Sequence, residues 1–255
     1  MSASQSPVTK VFRRGVTEAA SKMAMLKQLK CTDKHERQLR AQGYLVIAGV
    51  DEVGRGCLLG PVVAAAVILP EKIAKLKRLG LRDSKQLPEP VRAELDQEVR
   101  AIALAVSIAE VDAVTIDRVN IYQASRLAML RAVEALSLAP DHLLIDAMKL
   151  DHPCAQTKLI YGDSLSLSIA AASVVAKVYR DAQMTALHEQ FPQYGLASHK
   201  GYATPEHRRA LREHGACEHH RRSFAPVAAV IAGSLFPEAF MNEENLLQED
   251  AWDGD

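Results

Sequence analysis

Four acidic residues stand where apolar runs stop. Asp51 and Glu52 follow Leu45-Val-Ile-Ala-Gly-Val50, Asp146 follows Leu143-Leu-Ile145, and Asp163 follows Leu159-Ile-Tyr-Gly162. Two neighbouring acids on a surface carry no message, but a carboxylate at the buried end of a strand is costly unless a cation, a proton or hydrogen-bond donors meet it. Three strand-ending acidic positions in one sheet can converge at its edge. No His or Cys cluster offers softer ligands, and all-oxygen ligation selects Mg2+ or Mn2+. Plainer roles stay open for single residues. Asp163 with Ser164 suits an N-cap for the helix that follows, Asp146 a local ion pair with Lys149, and Asp181 a partnership with Arg180 or Lys177.

Gly54-Arg55-Gly56 comes directly after the first acidic pair. It matches neither GxGxxG nor a Walker loop. Two glycines around an arginine let backbone N–H groups come close to a ligand, while Arg55 offers donors to a phosphate. The alternative is a tight turn that needs positive φ. Further on, residues 198–222 carry Lys200, Arg208, Arg209, Arg212, Arg221 and Arg222 and five histidines against Glu206, Glu213 and Glu218. Such a run is usually a solvated helix face, yet Tyr202 beside Gly201 suits an aromatic lying on a sugar or base with cations on the flanking phosphates. The His219-His220 pair reads as structural, because the strand acids already supply a metal site.

These residues need elements to hold them. Residues 44–51 and 61–70 read as two apolar strands joined by the glycine turn, hence antiparallel neighbours. Asp83-Ser-Lys85 leads into a helix over 88–102 with Pro88 and Pro90 at its start. A third strand follows over 103–111, a helix over 114–136, short strands over 142–146 and 158–162, a long alanine-rich helix over 165–190 opened by Asp163, and a helix over 205–214. Strands first and alternation with helices afterwards predict an α/β layered domain with a mixed sheet. No apolar run reaches the roughly 18–20 residues that cross a bilayer, and residues 1–30 hold no secretory signal, so a cytoplasmic protein without membrane contact is expected. Cys31, Cys57, Cys154 and Cys217 lie far apart with no CxxC pair, which fits reduced thiols. The net charge of +0 conceals two unlike ends. Residues 1–40 hold nine Lys/Arg against three acids, and from Glu238 onward there are seven acids and no Lys or Arg. Both ends suit solvated appendages, and the basic arm also suits contact with a polyanion. The expected organisation is a basic, partly helical extension over 1–42, a catalytic domain over 43–227 and an acidic, flexible tail over 228–255, in a monomer.

Taken in order, the motifs resemble one family. Ile47-Ala-Gly-Val-Asp-Glu-Val-Gly-Arg-Gly56 is similar to the signature strand and loop of ribonuclease HII. Asp83-Ser-Lys85, Leu144-Ile-Asp146, Gly162-Asp-Ser164, Ile169-Ala-Ala-Ala-Ser173 with Ala176-Lys177, His199-Lys-Gly-Tyr-Ala-Thr204 and His220-Arg-Arg-Ser-Phe224 follow in the family's order. The resemblance covers residues 44–227. It implies a ribonuclease-H-like mixed sheet flanked by helices with a small helical C-terminal part. Asp51, Glu52, Asp146 and Asp163 match the family's four catalytic carboxylates, which implies two divalent ions, Mn2+ or Mg2+, and hydrolysis to 5′-phosphate and 3′-hydroxyl ends. Gly54, Arg55 and Gly56 match the loop that reads the ribose 2′-hydroxyl, the group that distinguishes RNA from DNA. Tyr202 matches the tyrosine that stacks on the sugar of the following deoxynucleotide, and Lys85 and Lys177 lie near substrate phosphates. The implied substrates are RNA–DNA hybrids and duplex DNA containing ribonucleotides, cut 5′ of the ribonucleotide, with a role in ribonucleotide removal.

Three departures from the family pattern bear on the site. Cys57-Leu-Leu-Gly-Pro61 replaces Pro-Leu-Ala-Gly-Pro and reshapes the packing behind the loop. Ala147 stands where many members have glycine, and Tyr161 stands where lysine is common. None touches the four acids, so activity is expected. The competing readings are the hybrid-cutting relative ribonuclease HIII, a binding module that has lost its metal, and a phosphate-loop NTPase. A 42-residue arm is short for the first one's extra domain, four retained carboxylates disfavour the second, and the missing Walker lysine disfavours the third.

Overall fold

The computed structural model describes residues 29–233. The expected α/β layering is present as one five-stranded sheet of β1 (Ile47–Val53), β2 (Val62–Ile68), β3 (Ala105–Val111), β4 (His142–Asp146) and β5 (Ala155–Leu159), in the spatial order β3-β2-β1-β4-β5. β1 pairs antiparallel with β2, and β2 with β3; β1 pairs parallel with β4, and β4 with β5. The glycine turn therefore closes an antiparallel pair as expected. The helices, in chain order, are α1 (Lys34–Ala41), α2 (Ala74–Arg78), α3 (Glu89–Ile102), α4 (Ala113–Val119), α5 (Ile121–Glu134), α6 (Leu167–Gln190), α7 (Leu196–His199), α8 (Pro205–His214) and α9 (Ala225–Ile231).

β2 is buried along its whole length because helices cover both faces of the sheet. Val62, Ala64, Ala66 and Ile68 pack with Ala124, Ala128, Met129 and Ala132 of α5. Val63, Ala65 and Val67, on the alternate positions, pack with Leu95 and Val99 of α3 and Ala171, Val174 and Val175 of α6. The period of two along the strand thus feeds two cores at once. Alanines on both sides let the helices come close, and Gly49 shows how close. A Cβ there would lie 2.1 Å from the backbone carbon and oxygen of Ser168, so only glycine lets α6 rest on β1 at that point.

Several boundaries differ from the sequence reading. Leu45 is 73% exposed and β1 begins at Ile47, where pairing with β4 starts; pairing with β2 joins from Ala48. The helix expected over 114–136 is two helices. Asn120, at φ 69°, ends α4, and its side chain accepts a hydrogen bond from the Gln123 N–H to cap α5. β5 lies at Ala155–Leu159 and not at 158–162. Of the expected N-terminal helix only α1 falls among the described residues, and the part before residue 29 lies outside them, as does the acidic tail from residue 234. α1 is not a loose appendage. Leu39 packs on Ile47, Leu144 and Ile169, and the buried Glu36 accepts hydrogen bonds from Ser166 Oγ (2.6 Å) and Ser168 N–H (2.8 Å) at the start of α6.

Candidate active site

Parallel pairing brings the first two acidic positions together. Val50 is opposite Ile145 in the β1–β4 ladder, so Asp51 and Asp146, one residue further, lie side by side. Asp146 ends β4, whereas β1 runs on through Asp51 to Val53 in its pairing with β2, so Asp51 is not the strand end that the sequence suggests. Asp146 is held by the Gly162 N–H, which donates to its Oδ1 at 2.6 Å. The Lys149 pairing left open by the sequence is not what holds it. Asp163 does not open α6. It lies in a 3-10 turn, Gly162–Ser164, and the N-cap of α6 is Ser166, which accepts from the Ile169 N–H. Released from capping, Asp163 is left buried beside the other acids.

The electrostatics are those of an acid cluster awaiting a cation. Asp51 is pushed well above the usual carboxylate range, first by burial and then by the charges of Asp146, Glu52 and Asp163. Burial raises Glu52 against the opposing pull of Arg55 and Lys85. Asp146 is pushed up to about 6 by burial and then by Glu52. Asp163 is pushed up to about 7 by burial, then by Asp83 and Asp146. Glu52 Oε1 meets Arg55 Nη1 at 3.3 Å, but its Oε2 is buried with no hydrogen-bond partner. Among the described residues no three acidic, imidazole or thiol groups close into a ready-made coordination shell. An unpartnered buried carboxylate oxygen within a set of oxygen donors that raise one another's pKa nonetheless fits a hard divalent ion, whose charge would reverse each of these shifts.

Asp83 is the acid that sequence reasoning misses. In the chain it is only the start of Asp83-Ser-Lys85, yet its charge is the largest of those raising Asp163. Its carboxylate accepts from the Lys85 N–H at 2.9 Å, which turns the short 3-10 segment Ser84–Gln86. Ser84 is pinned by a buried hydroxyl pair with Ser173 of α6 (2.9 Å). That anchor sets Lys85 where its charge lowers the pKa of all four acids. Lys177 is elsewhere. It pairs with Asp181 at 2.6 Å and lies 5.8 Å from the ring centroid of Tyr202, so it accompanies the tyrosine and not Asp51, Glu52, Asp146 and Asp163. Asp181 also faces Arg92 at 3.6 Å.

The glycine loop and Tyr202 are neighbours although 146 residues separate Gly56 from Tyr202 in the chain. Cys57 and Tyr202 form an antiparallel bridge, and the Leu58 N–H donates to Gly201 O at 2.9 Å. Gly54 has φ +90°, and a Cβ on it would strike Arg180 Nε at 2.2 Å. A Cβ on Gly56 would meet nothing within 4 Å, which leaves the loop's outer side open to a ligand. The departures also have places. The Cys57 side chain is fully buried behind the loop, Leu59 packs with Met184, Tyr194 and Leu196, and Ala147 and Tyr161 take left-handed backbone at φ 50° and 57°. Glycine at position 147 in other family members is thereby accounted for, since it adopts that conformation without strain. Of the histidines of residues 198–222, His207 and His220 are built into the interior, as expected for His220, whereas its neighbour His219 is half-buried at the surface. His207 and His220 are buried and neutral, lowered by burial to about 4 and about 3, and His207 Nδ1 donates to Tyr202 O at 2.9 Å.

A mixed sheet of this order, with acids where the ladder of its central parallel strands stops and helices on both faces, defines a ribonuclease-H-like α/β protein. Residues 48–227 match the family model described as Ribonuclease HII. A ribonuclease HII of Koribacter versatilis (strain Ellin345) is 55% identical over 93% of this chain and 92% of its own length. A ribonuclease HII of Geobacillus kaustophilus is 54% identical over 79% of this chain and 76% of its own. Among solved structures, the ribonuclease H2 from Pyrococcus horikoshii OT3 superposes with a TM-score of 0.65 at 23% identity, covering 73% of this chain and 97% of that one, a likeness of fold. The chain belongs to the ribonuclease HII family, and it is a ribonuclease H, a divalent-metal-dependent nuclease. No helix among the described residues is long and apolar enough to cross a membrane.

Proposed function

We propose that this ribonuclease H cuts 5′ of ribonucleotides embedded in duplex DNA as well as the RNA of hybrids, leaving 5′-phosphate and 3′-hydroxyl ends, and that it acts in ribonucleotide removal. The observation that carries the reading is the bridge between Cys57 and Tyr202, which sets a loop suited to a 2′-hydroxyl beside an aromatic suited to the next sugar. Asp51, Glu52, Asp146 and Asp163 would hold Mg2+ or Mn2+. A divalent pair bound there supplies a water of lowered pKa and charge for the leaving 3′ oxygen. Lys85, among the acids, orients the phosphate that is cut. The N–H groups of the Gly54-Arg55-Gly56 loop meet the ribose 2′-hydroxyl. The phenol of Tyr202, pushed up to about 12 by burial, stays protonated and presents a neutral ring to the deoxyribose, with Lys177 placed for the adjoining phosphate.

The test uses three labelled duplexes: DNA with one ribonucleotide, a uniform RNA–DNA hybrid, and all-DNA. Each is incubated with Mg2+, Mn2+ or EDTA. The reading expects a cut 5′ of the lone ribonucleotide that EDTA abolishes. Cleavage of the uniform hybrid alone would contradict it. Tyr202→Ala is expected to lower kcat/KM on the lone ribonucleotide by about tenfold more than on the uniform hybrid, with half-saturating metal unchanged. Equal losses on the two substrates would count against the role given to Tyr202.

A further inference from the structure

Arg180 and Arg221 are both 0% exposed. A buried guanidinium ordinarily meets a carboxylate, but each hydrogen bond that these two make among the described residues ends on a backbone carbonyl. Arg221 donates to Arg55 O (Nη1, 2.6 Å), Gly54 O (Nη2, 2.6 Å) and Gly60 O (Nε, 3.0 Å). Arg180 donates to Pro61 O (Nε, 3.1 Å), Leu59 O (Nη2, 3.2 Å) and Lys200 O (Nη1, 2.8 Å). Five of these six carbonyls belong to residues 54–61, and the sixth lies two residues before Tyr202. A planar fork of five N–H groups can fix several carbonyls at set angles, which a lysine cannot.

The two forks do different things. Arg221 draws the carbonyls of Gly54 and Arg55 inward. No cis peptide occurs among the described residues, and in a trans peptide the N–H points opposite to the C=O, so the N–H groups of Arg55 and Gly56 are turned outward. Arg180 reaches across from the loop's far end to Lys200, and so joins the loop to the turn that carries Tyr202. Both approaches are tight. Arg180 lies under Gly54, and Gly201, at φ +87°, has room for a Cβ only 2.7 Å from Leu59 O.

We propose that Arg180 and Arg221 are positioning residues for substrate selection, Arg221 presenting the loop's N–H groups to the ribose and Arg180 fixing the spacing between that loop and Tyr202, hence the register in which an RNA-to-DNA junction is read. This rests on the function proposed for the loop and for Tyr202.

The experiment compares Arg180→Lys and Arg221→Lys with the unaltered full-length protein, since lysine keeps the charge and loses the fork. Arg180→Lys is expected to lower kcat/KM on the lone-ribonucleotide duplex by about tenfold while kcat on the uniform hybrid stays within about threefold. Arg221→Lys is expected to raise KM on both substrates by about tenfold, with kcat and half-saturating Mn2+ within about threefold. Parallel losses of kcat on both substrates, or no loss on either, would overturn the proposal. Should the unaltered protein leave the lone ribonucleotide uncut, the function reading itself fails, a different result from equal cutting by protein and variant. One measurement needs no variant to fold. In the unaltered protein, Nε–H exchange of both arginines, followed by nitrogen-15 NMR, is expected to be slowed at least about a hundredfold relative to free arginine. Exchange at the free rate would overturn it.

Discussion

At the scale of single residues, the site is expensive in the absence of metal. Asp146 at about 6 and Asp163 at about 7 have folded-state pKa values above the ordinary carboxylate value of 3.8, with burial the first cause in each. The sign follows from proton binding. Between about pH 4 and pH 7 the native state holds more protons than the unfolded chain, so stability falls as pH rises through that window and levels off above it. Asp163→Asn removes a buried charge and is expected to raise the unfolding free energy of the metal-free protein by on the order of 2 kcal/mol near pH 8, and by little near pH 4. Urea unfolding in EDTA at the two pH values checks this, and a gain of the same size at both would contradict it. The same variant is expected to lose cleavage at saturating metal. Which acids would cluster was legible because each sits at the end of an apolar run. Asp83 was not, since Leu81 and Arg82 before it form no strand and only the packing of Ser84 against Ser173 brings it to Asp163.

At the scale of elements, the contact of α6 with β1 holds the site together. Asp51 is on β1, Asp163 is in the turn that leads to α6, and the crossing is closest at Gly49. Gly49→Ala forces Ser168 away and is expected to cost at least about 3 kcal/mol of stability. Thermal unfolding measures it, and a change within about 0.5 kcal/mol would mean that the two backbones are further apart. Ser166→Ala removes the N-cap of α6 together with a partner of Glu36, for an expected loss of about 1–2 kcal/mol. The strands, α3, α6 and α8 could be read from hydrophobic period and caps to within a few residues. The break at Asn120 could not, because apolar positions continue through it in helical phase and only a left-handed backbone at one asparagine separates α4 from α5. Nor was the docking of α1 legible, since its anchor is a buried glutamate whose partners lie 130 and 132 residues away.

At the scale of the molecule, the proposed function puts the cutting chemistry where the β1–β4 ladder stops and recognition in a second region, assembled from loop 54–61, the Lys200–Tyr202 turn and Arg221. The motifs of the sequence pointed to both regions, but not to the frame beneath them. Arg180 and Arg221 look like ordinary members of basic runs in the sequence, and their burial appears only once the chain is folded. The acid cluster predicts how the whole enzyme responds to pH. If Asp146 and Asp163 hold the metal as proposed, protons compete with it there, so half-saturating Mg2+ is expected to fall as pH rises from about 5.5 to 7.5 and to flatten above. Metal titrations of cleavage rate at several pH values test this, and a flat dependence across that range would contradict it. The measurement that bears most directly on the central claim, four carboxylates holding the metal for cleavage at a ribonucleotide, is cleavage of the lone-ribonucleotide duplex at saturating Mg2+ by the unaltered protein beside Asp51→Asn. The account predicts a cut 5′ of the ribonucleotide and a loss of at least about a thousandfold in the variant, which still folds. A folded Asp51→Asn that cuts as fast as the unaltered protein would contradict it.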